Sequence, residues 1–425
     1  MYHLVYPSTA RIQNPSSFPF FVFMSKSIIE KLQDQQTWEE YLAYQLRKDR
    51  LDWDDFETCD RYVEDMEFAP VAAKAVRGDS LGIPHKKIIN KMGTGKKRTV
   101  YTFDNEAMAM LKVIAHQLYK YDYHFSSDCF AFRRGLRPSD AVLKVHRKVC
   151  DKPYWAYKLD IHDYFNSIAV PILLPKLKEM LADDPMLYEF LERMLTEERV
   201  EYNGEIFKEQ HGVMAGLPTS TFLANVYLSE MDHFFSDKGA IYARYSDDII
   251  IFAEDYETLL EYRSLVKDFL DSHCLAVNPS KEKIYSPGEP FEFLGFRCFG
   301  RTIDIASASI EKMKGKIRRK MRALSRWKDR KGVAAERAMG TMIKIFNDKF
   351  FGKADDDSLT WSRWYFPVIN ADSGLKQVDQ YLQQCLRALA TGRHYKGNYR
   401  ITYDMLKQYG YKSLVHEFYE WRKCG

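Results

Sequence analysis

The run Ile241-Tyr-Ala-Arg-Tyr-Ser-Asp-Asp-Ile-Ile-Ile-Phe252 decides the fold of this chain. Its β-branched and aromatic residues stop at Ser246-Asp247-Asp248 and resume at once, which predicts two short strands joined by a tight turn. A hairpin with a solvated tip is the simplest interpretation, because Asp is common in turns. Here apolar strand flanks the acids on both sides, so two like charges would be buried together unless a cation joins them. The sequence therefore predicts a metal site at this turn.

Two other acidic clusters lack such flanking strands. Asp183-Asp184 precedes a proline in a polar loop, and residues 355–357 are three aspartates in a linker bounded by Lys and Ser. We expect both clusters to be solvated turns.

A third carboxylate is offered by the run Tyr157-Lys-Leu-Asp-Ile-His-Asp-Tyr-Phe165. Tyr157, Leu159 and Ile161 alternate with polar residues, so Asp160 should lie near the end of a half-buried strand. Asp160 and Asp247 are expected to converge from neighbouring strands and to hold two hard, oxygen-seeking ions. Two metals about 4 Å apart would activate an attacking hydroxyl and neutralise a leaving pyrophosphate.

Four sequence motifs follow one another between residues 160 and 296. They are residues 160–165, Gly216-Leu-Pro-Thr-Ser220 followed by Asn225, Tyr245-Ser-Asp-Asp248, and Phe293-Leu-Gly-Phe296. Over roughly residues 83–296 the chain resembles the bacterial group II intron-like, retron-like and phage-defence reverse transcriptases. The resemblance implies an α/β (α+β) right-hand polymerase with fingers, palm and helical thumb. A nucleotide cyclase also has an acid-bearing hairpin, but it would lack the 216–225 block.

The expected domain organisation follows the same resemblance. An N-terminal helical arm should occupy residues 1–80, fingers 81–150, a palm 151–305 with a fingers insertion at about 170–210, and a helical thumb and C-terminal region 306–425. A chain of 425 residues with 46% hydrophobic content can bury the core of two or three domains.

Charge and cysteine content narrow the class of protein. A net charge of +4 is only mildly basic, and seven Cys without a Cys-x-x-Cys pair argue against a disulfide framework and against a zinc ribbon. The apolar run at Phe18–Met24 is too short to span a bilayer and is expected to pack as an N-terminal arm. We therefore expect a cytoplasmic protein without a membrane partner.

A basic hairpin is predicted between Ile83 and Tyr101, with Gly93-Thr-Gly95 as its turn. Such a hairpin can hold a triphosphate by charge-assisted hydrogen bonds. The resemblance assigns nucleotide contacts to Lys91 and Arg98, whereas a solubilising charged turn is the alternative.

The resemblance implies further nucleotide and template contacts. Phe165 would abut the sugar of the incoming nucleotide and exclude a 2′-hydroxyl. Ala215 and Gly216 would lie beside that nucleotide; relatives of the group II type have Gln at the Ala215 position, so its absence bears on fidelity and on strict template use. Arg133 matches the Arg of a Phe-Arg-Pro-Gly block, with Arg134 in the Pro position, and would contact template backbone.

Catalytic and primer-binding groups are also implied. The metal ligands would be Asp160, Asp247, Asp248 and the backbone carbonyl of Ile161, holding two Mg²⁺ ions, with Mn²⁺ as a substitute. Lys281 is the candidate general acid because an ammonium there could protonate the leaving group. Lys283 is its rival, and a solvent-exposed lysine is the alternative. The remaining nucleic-acid contacts on the palm are expected from Tyr245, Leu294 and Gly295.

A basic amphipathic helix is predicted at residues 311–330, which hold ten Lys or Arg against two acids. One helical face is apolar and comprises Ile310, Met313, Ile317, Met321, Leu324 and Trp327. After a polymerase palm such a helix is typical of a thumb that tracks duplex phosphates, with Lys316 and Arg319 as contacts. A membrane-surface helix is the alternative.

The free-standing defence-associated reverse transcriptases are the subgroup that the chain most resembles. This implies synthesis of cDNA from dNTPs on a dedicated structured non-coding RNA, in response to phage, with a cDNA duplex as product. Untemplated or protein-primed DNA synthesis is one alternative, for which Ala215 is the only hint. A catalytically inactive RNA-binding scaffold is the other. The sequence does not define an oligomeric state.

Overall fold

The computed structural model of the protein describes residues 26–48, 53–90, 97–352, 360–392 and 396–424. Three features considered above lie outside these ranges: the run Phe18–Met24, the Gly93–Gly95 turn together with Lys91, and the aspartates at 355–357.

The described residues form strands and helices with the following bounds. The strands are β1 His85–Asn90, β2 Lys97–Thr102, β3 Trp155–Asp160, β4 Arg199–Tyr202, β5 Glu205–Lys208, β6 Ile241–Tyr245, β7 Asp248–Ala253, β8 Lys283–Tyr285, β9 Phe291–Phe293, β10 Phe296–Phe299 and β11 Thr302–Ile305. The helices are α1 Ile28–Lys31, α2 Gln35–Arg47, α3 Trp53–Glu64, α4 Ala69–Arg77, α5 Asn105–Gln117, α6 Pro138–Val149, α7 Tyr164–Ser167, α8 Val170–Met180, α9 Pro185–Thr196, α10 Ser220–Asp237, α11 Tyr256–Ser272, α12 Ser307–Lys331, α13 Ala335–Phe351, α14 Trp361–Tyr365, α15 Ser373–Thr391, α16 Tyr403–Gln408 and α17 Leu414–Cys424, with 3₁₀ helices at Leu118–His124 and Lys396–Arg400.

The central sheet has the strand order β6-β7-β3-β8, and its pairs are antiparallel. The predicted hairpin is confirmed: β6 and β7 pair from Ile241 opposite Phe252 to Tyr245 opposite Asp248. Strand β3 lies on the other side of β7 and ends at Asp160, which is opposite Asp248. The register of β3 against β7 therefore places the third carboxylate beside the turn.

Both faces of the central sheet are covered, which explains the unbroken apolar run in β7. Side chains on a strand alternate between faces. Ile249 and Ile251 belong to one hydrophobic core with Leu159, whereas Ile250 and Phe252 belong to a second core. The first core includes residues of α5, α8 and α10, and the second includes residues of α6, α12, α13 and α15.

The described residues form two smaller sheets besides the central sheet. One has the order β2-β1-β4-β5 and contains the strands of the predicted basic hairpin and a hairpin of β4 and β5, whose turn residues Asn203 and Gly204 both have positive φ. The other has the order β11-β10-β9, and its β9–β10 turn is Leu294-Gly295.

Asp184 is not the solvated turn residue that its sequence context predicted. Its side chain is buried and accepts hydrogen bonds from Ser27 Oγ at 2.5 Å, from the Ile28 amide at 2.8 Å and from the Leu187 amide at 3.1 Å. The prediction was wrong because this carboxylate caps α9 and at the same time binds the start of α1, where free amides favour a negative charge.

Helix α12 is basic and amphipathic, as predicted. Ile310, Met313, Ile317 and Leu324 are buried on one face. None of the helices in the described ranges combines the length and the apolar character that crossing a bilayer requires.

Candidate active site

The turn between β6 and β7 consists of Ser246 and Asp247, and Asp248 begins β7. Ser246 has φ +60°, a left-handed conformation that costs a non-glycine residue about 1 kcal/mol. The Ile161 amide donates a hydrogen bond to the Asp247 carbonyl at 3.0 Å. The chain that follows Asp160 is therefore joined directly to the turn.

Asp247 and Asp248 carry the electrostatic signature of crowded like charges. Burial raises the pKa of Asp247, and the neighbouring Asp160 raises it further. Burial also raises the pKa of Asp248, to about 6; Lys158 opposes this shift, while Asp247 and Asp160 add to it. Both effects penalise the ionised forms, which is the condition that a bound cation relieves.

Two lysines lie against these acids. Lys281 Nζ is 2.5 Å from Asp160 Oδ2, and the Asn278 side-chain amide donates to Asp160 Oδ1 at 3.3 Å. Lys158 Nζ is 3.5 Å from Asp248 Oδ1, which is long for a hydrogen bond, and that buried oxygen has no hydrogen-bond partner. The lysines thus supply part of the positive charge that the carboxylates require.

The oxygen atoms at this site are of the chemical type that binds divalent cations. The carboxylates of Asp160 and Asp247 and the carbonyl of Ile161 are hard oxygen donors, which Mg²⁺ prefers. Asp248 adds a buried carboxylate oxygen without a hydrogen bond. Among the described residues, no three His, Cys, Asp or Glu side chains are gathered closely enough to hold an ion as they stand.

The loop before α10 packs on two of the predicted site elements. The Tyr101 amide of β2 donates to the Ala215 carbonyl at 2.8 Å, and the Ala215 amide donates to Asn166 Oδ1 at 3.2 Å. Gly216 has φ +111°, and a Cβ there would lie 2.9 Å from the Tyr101 carbonyl oxygen. A side chain at position 216 would therefore push β2 away, which explains the glycine.

Aromatic side chains connect the predicted sugar-contacting residue to the turn. The ring centroids of Phe132 and Phe165 are 6.1 Å apart, and those of Phe132 and Tyr245 are 6.4 Å apart. Phe132 is 36% exposed and has φ +60°. Arg98 is also near enough to Asp247 to oppose its pKa rise. The structure thus brings Phe165, Tyr245 and Arg98 towards the acids, and Lys91 lies outside the described residues.

Arg133 and Arg134 have internal contacts. Arg133 donates to the carbonyls of Ser126, Cys129 and Asp122, at 2.7, 3.1 and 2.9 Å. Its contact with template backbone stays a prediction, and the structure shows it holding the loop that carries Phe132. The Arg134 guanidinium lies over the rings of Tyr44 and Tyr119, at 5.5 and 5.1 Å from their centroids. Arg at this position therefore joins α2 to the 3₁₀ helix after α5.

The remaining predicted contacts lie after the central sheet. Leu294 and Gly295 both have positive φ, and the Gly295 carbonyl accepts a hydrogen bond from the Ala306 amide at 2.9 Å. Lys316 is half-buried and Arg319 is exposed on α12. Their contacts with nucleic acid stay predictions.

Three residues at the site were missed by the sequence analysis. Lys158 is a charged residue between two buried strand positions, and Arg244 is a charged residue inside an apolar strand; both departures from the strand pattern were visible signals. Phe132 is the Phe of the block that contains Arg133, but its packing against Phe165 and its left-handed backbone appear only in the structure.

The sequence of the chain matches a known protein family. Residues 85–298 match the family described as reverse transcriptase (RNA-dependent DNA polymerase). The chain therefore belongs to the reverse transcriptase family. It is 26% identical over 106 residues to the retron Ec86 reverse transcriptase of Escherichia coli, a match that covers 24% of this chain and 33% of that protein. The matched part is thus about a third of the length of that relative.

Two solved structures are similar at low identity. Telomerase from Candida albicans, in complex with a fragment of telomeric RNA, has a TM-score of 0.44 at 12% identity, over 82% of this chain and 68% of that chain. Apo telomerase from Candida tropicalis, truncated from its C-terminal domain, has a TM-score of 0.43 at 15% identity, over 52% of this chain and 55% of that chain.

Proposed function

We propose that this protein is an RNA-directed DNA polymerase that adds deoxynucleotides at the Asp160, Asp247 and Asp248 site. The observation that carries the proposal is the pairing of Asp160 with Asp248 across β3 and β7, in a chain of the reverse transcriptase family. Burial and the neighbouring Asp160 raise the pKa of Asp247 and of Asp248. Like charges gathered in this way have no stabilising role of their own, so their presence favours a catalytic one.

Asp160, Asp247, Asp248 and the Ile161 carbonyl are the residues that would hold two Mg²⁺ ions. When bound, divalent cations supply charge neutralisation for the phosphates and activation of the attacking hydroxyl. Lys281, already in contact with Asp160, supplies a proton to the departing pyrophosphate.

Other residues of this chain orient the nucleotide. Gly216 and Ala215 present backbone beside β2, and Arg98 on β2 contacts the triphosphate. Phe165 closes the site against a 2′-hydroxyl. The Phe132 ring packs edge-on against Phe165 and so supports it in that orientation.

The proposal also covers the RNA template and the biological role of the protein. We assign to the chain a structured non-coding RNA as template, a cDNA duplex as product, a cytoplasmic location and a part in antiphage defence. The similarity to a retron reverse transcriptase supports the template class. The fingers, palm and thumb boundaries proposed are 81–150, 151–305 and 306–425, after an N-terminal arm at 1–80.

The proposed chemistry is tested by Asp247→Asn combined with Asp248→Asn. Extension of a primer annealed to RNA should be abolished, while the unfolding temperature stays equal or rises because two repelling, half-buried charges are removed. Asp268→Asn, an exposed acid on α11, is the matched control and should extend the primer normally. Synthesis retained by the double variant would contradict the proposal.

Omitting the RNA distinguishes the remaining alternatives. Continued synthesis without template would favour untemplated or protein-primed addition. Full biological activity of the double variant would favour an RNA-binding scaffold.

A further inference from the structure

Arg244 lies beneath the catalytic turn and has no exposed surface. Its guanidinium makes a bidentate contact with the equally buried Asp232, at 2.8 Å to Oδ1 and 2.5 Å to Oδ2. It also donates to Asn225 Oδ1 at 3.3 Å and lies 3.2 Å from Cys129 Sγ. Tyr242 completes the cluster by donating its hydroxyl to Asp232 Oδ1 at 2.8 Å.

One further hydrogen bond connects this cluster to the turn. Arg244 Nη1 donates to the Ser246 carbonyl at 3.2 Å. That carbonyl belongs to the peptide unit that contains the Asp247 amide, and Ser246 is the strained residue of the turn. Because the buried cluster holds the Arg244 guanidinium in place, this hydrogen bond sets the orientation of the Ser246–Asp247 peptide, from which the Asp247 side chain projects.

The same cluster also holds the segment that leads to Phe132. The Arg244 amide donates to the Asp128 carbonyl at 2.9 Å, and the Phe130 amide donates to the Arg244 carbonyl at 3.0 Å. The Asn225 side-chain amide donates to the Ala131 carbonyl at 2.8 Å. The acid turn and the aromatic residue beside Phe165 are thus both fixed relative to one buried guanidinium.

We propose that Arg244 is a positioning residue, whose guanidinium holds the Ser246–Asp247 peptide in the orientation that divalent cation binding requires. The inference rests on the proposed function and goes beyond it by assigning a role to a residue that touches neither metal nor substrate. Stability alone does not account for the cluster, because well-packed apolar side chains can often replace a buried ion pair without lowering the free energy of unfolding. A directional donor to a strained carbonyl has no apolar substitute.

The test replaces the ionic cluster as a unit. Removing Arg244 alone would leave Asp232 buried and unpaired, so Tyr242→Phe, Asp232→Leu and Arg244→Met are combined. We expect this triple variant to unfold at or near the wild-type temperature, but to bind Mn²⁺ at least 10-fold more weakly in titration calorimetry without nucleotide. Tyr242→Phe alone, which keeps the guanidinium and its hydrogen bond to Ser246, is the matched control and should bind Mn²⁺ as the wild type does.

A second variant keeps the proposal testable if the triple variant does not fold. Arg244→Lys retains a positive charge opposite Asp232 but lacks the second arm that reaches the Ser246 carbonyl, so Mn²⁺ binding should weaken by a similar factor. Wild-type Mn²⁺ affinity in either folded variant would overturn the proposal. Primer extension by the wild type is assayed separately: its absence would refute the proposed polymerase, whereas the Mn²⁺ titration judges the role of Arg244 by itself.

Discussion

Lys281 and Lys283 were rival candidates for the general acid, and their contacts separate them. Lys281 Nζ contacts the Asp160 carboxylate at the site. Lys283 Nζ pairs instead with Glu289 at 2.9 Å and lies over the Tyr285 ring, 4.1 Å from its centroid. The structure therefore favours Lys281.

Lys281→Gln should lower kcat for nucleotide addition about 100-fold, since general acid catalysis typically contributes 10²–10⁴-fold. The reduction should be smaller with a nucleotide whose leaving group needs less protonation. Lys283→Gln is the control and should retain kcat within about twofold. Single-turnover primer extension measures both, and an equal reduction in the two variants would contradict the assignment.

Phe165→Val should relax the choice of sugar. A smaller side chain leaves room for a 2′-hydroxyl, and such a steric difference is worth roughly 10- to 100-fold in discrimination. The ratio of kcat/KM for dNTP and rNTP measures it. Phe234→Val, an exposed aromatic on α10, should leave the ratio unchanged. A ratio unchanged by Phe165→Val would mean that another group excludes ribonucleotides.

Helices α1 and α9 are joined through one carboxylate, although they are far apart in the chain. Asp184 accepts from both helix starts and is 2% exposed, whereas the side chain of the adjacent Asp183 is 56% exposed and contacts Tyr121 and Lys120. Local sequence could not separate these two acids, because the second partner of Asp184 comes from the distant N-terminal segment.

Asp184→Ala should lower the free energy of unfolding by about 2–3 kcal/mol, since two helix starts lose their acceptor at roughly 1 kcal/mol each and buried amides remain unpaired. Asp183→Ala, its neighbour, should cost less than about 1 kcal/mol. Urea unfolding measures both variants. Equal destabilisation would show that the buried carboxylate adds nothing beyond an ordinary turn acid.

The strands of the central sheet illustrate what local pattern can predict. The hairpin at Ser246-Asp247 followed from the interruption of an apolar run, and the end of β3 at Asp160 followed from an alternating pattern that breaks there; both are confirmed. The coverage of both sheet faces did not follow, because a run of four apolar residues does not say which core each side chain enters.

In the whole molecule, basic charge gathers on the helices that follow the central sheet. Burial lowers the pKa of Lys316, and the neighbouring Lys349, Lys312 and Arg319 lower it further. On α12, Glu311 pairs with Lys314 and Asp329 pairs with Lys328. These two acids therefore do not relieve the repulsion between Lys316 and the three neighbouring cations. A phosphate backbone would relieve that repulsion.

Lys316→Gln and Arg319→Gln should each reduce the salt dependence of duplex binding. The slope of log K against log salt should fall in magnitude by about 1 for each phosphate that the protein no longer neutralises, uniformly across sequences. Binding of an RNA–DNA duplex at several salt concentrations measures the slope. Lys238→Gln, a lysine that pairs with Glu261, is the control and should leave it unchanged. Unaltered slopes in both α12 variants would contradict the prediction that α12 binds nucleic acid.

The sequence by itself determined the acid-bearing hairpin, the strand that ends at Asp160 and the basic amphipathic helix. Each of them follows from the hydrophobic periodicity of one continuous segment. Only the tertiary structure decided which charges meet: Lys281 with Asp160, Lys158 with Asp248, and Arg244 with Asp232. These contacts depend on the register of β3 against β7 and β8 and on the packing of α10 against β6. Register and packing are set by the whole core at once, so no single stretch of the chain encodes them.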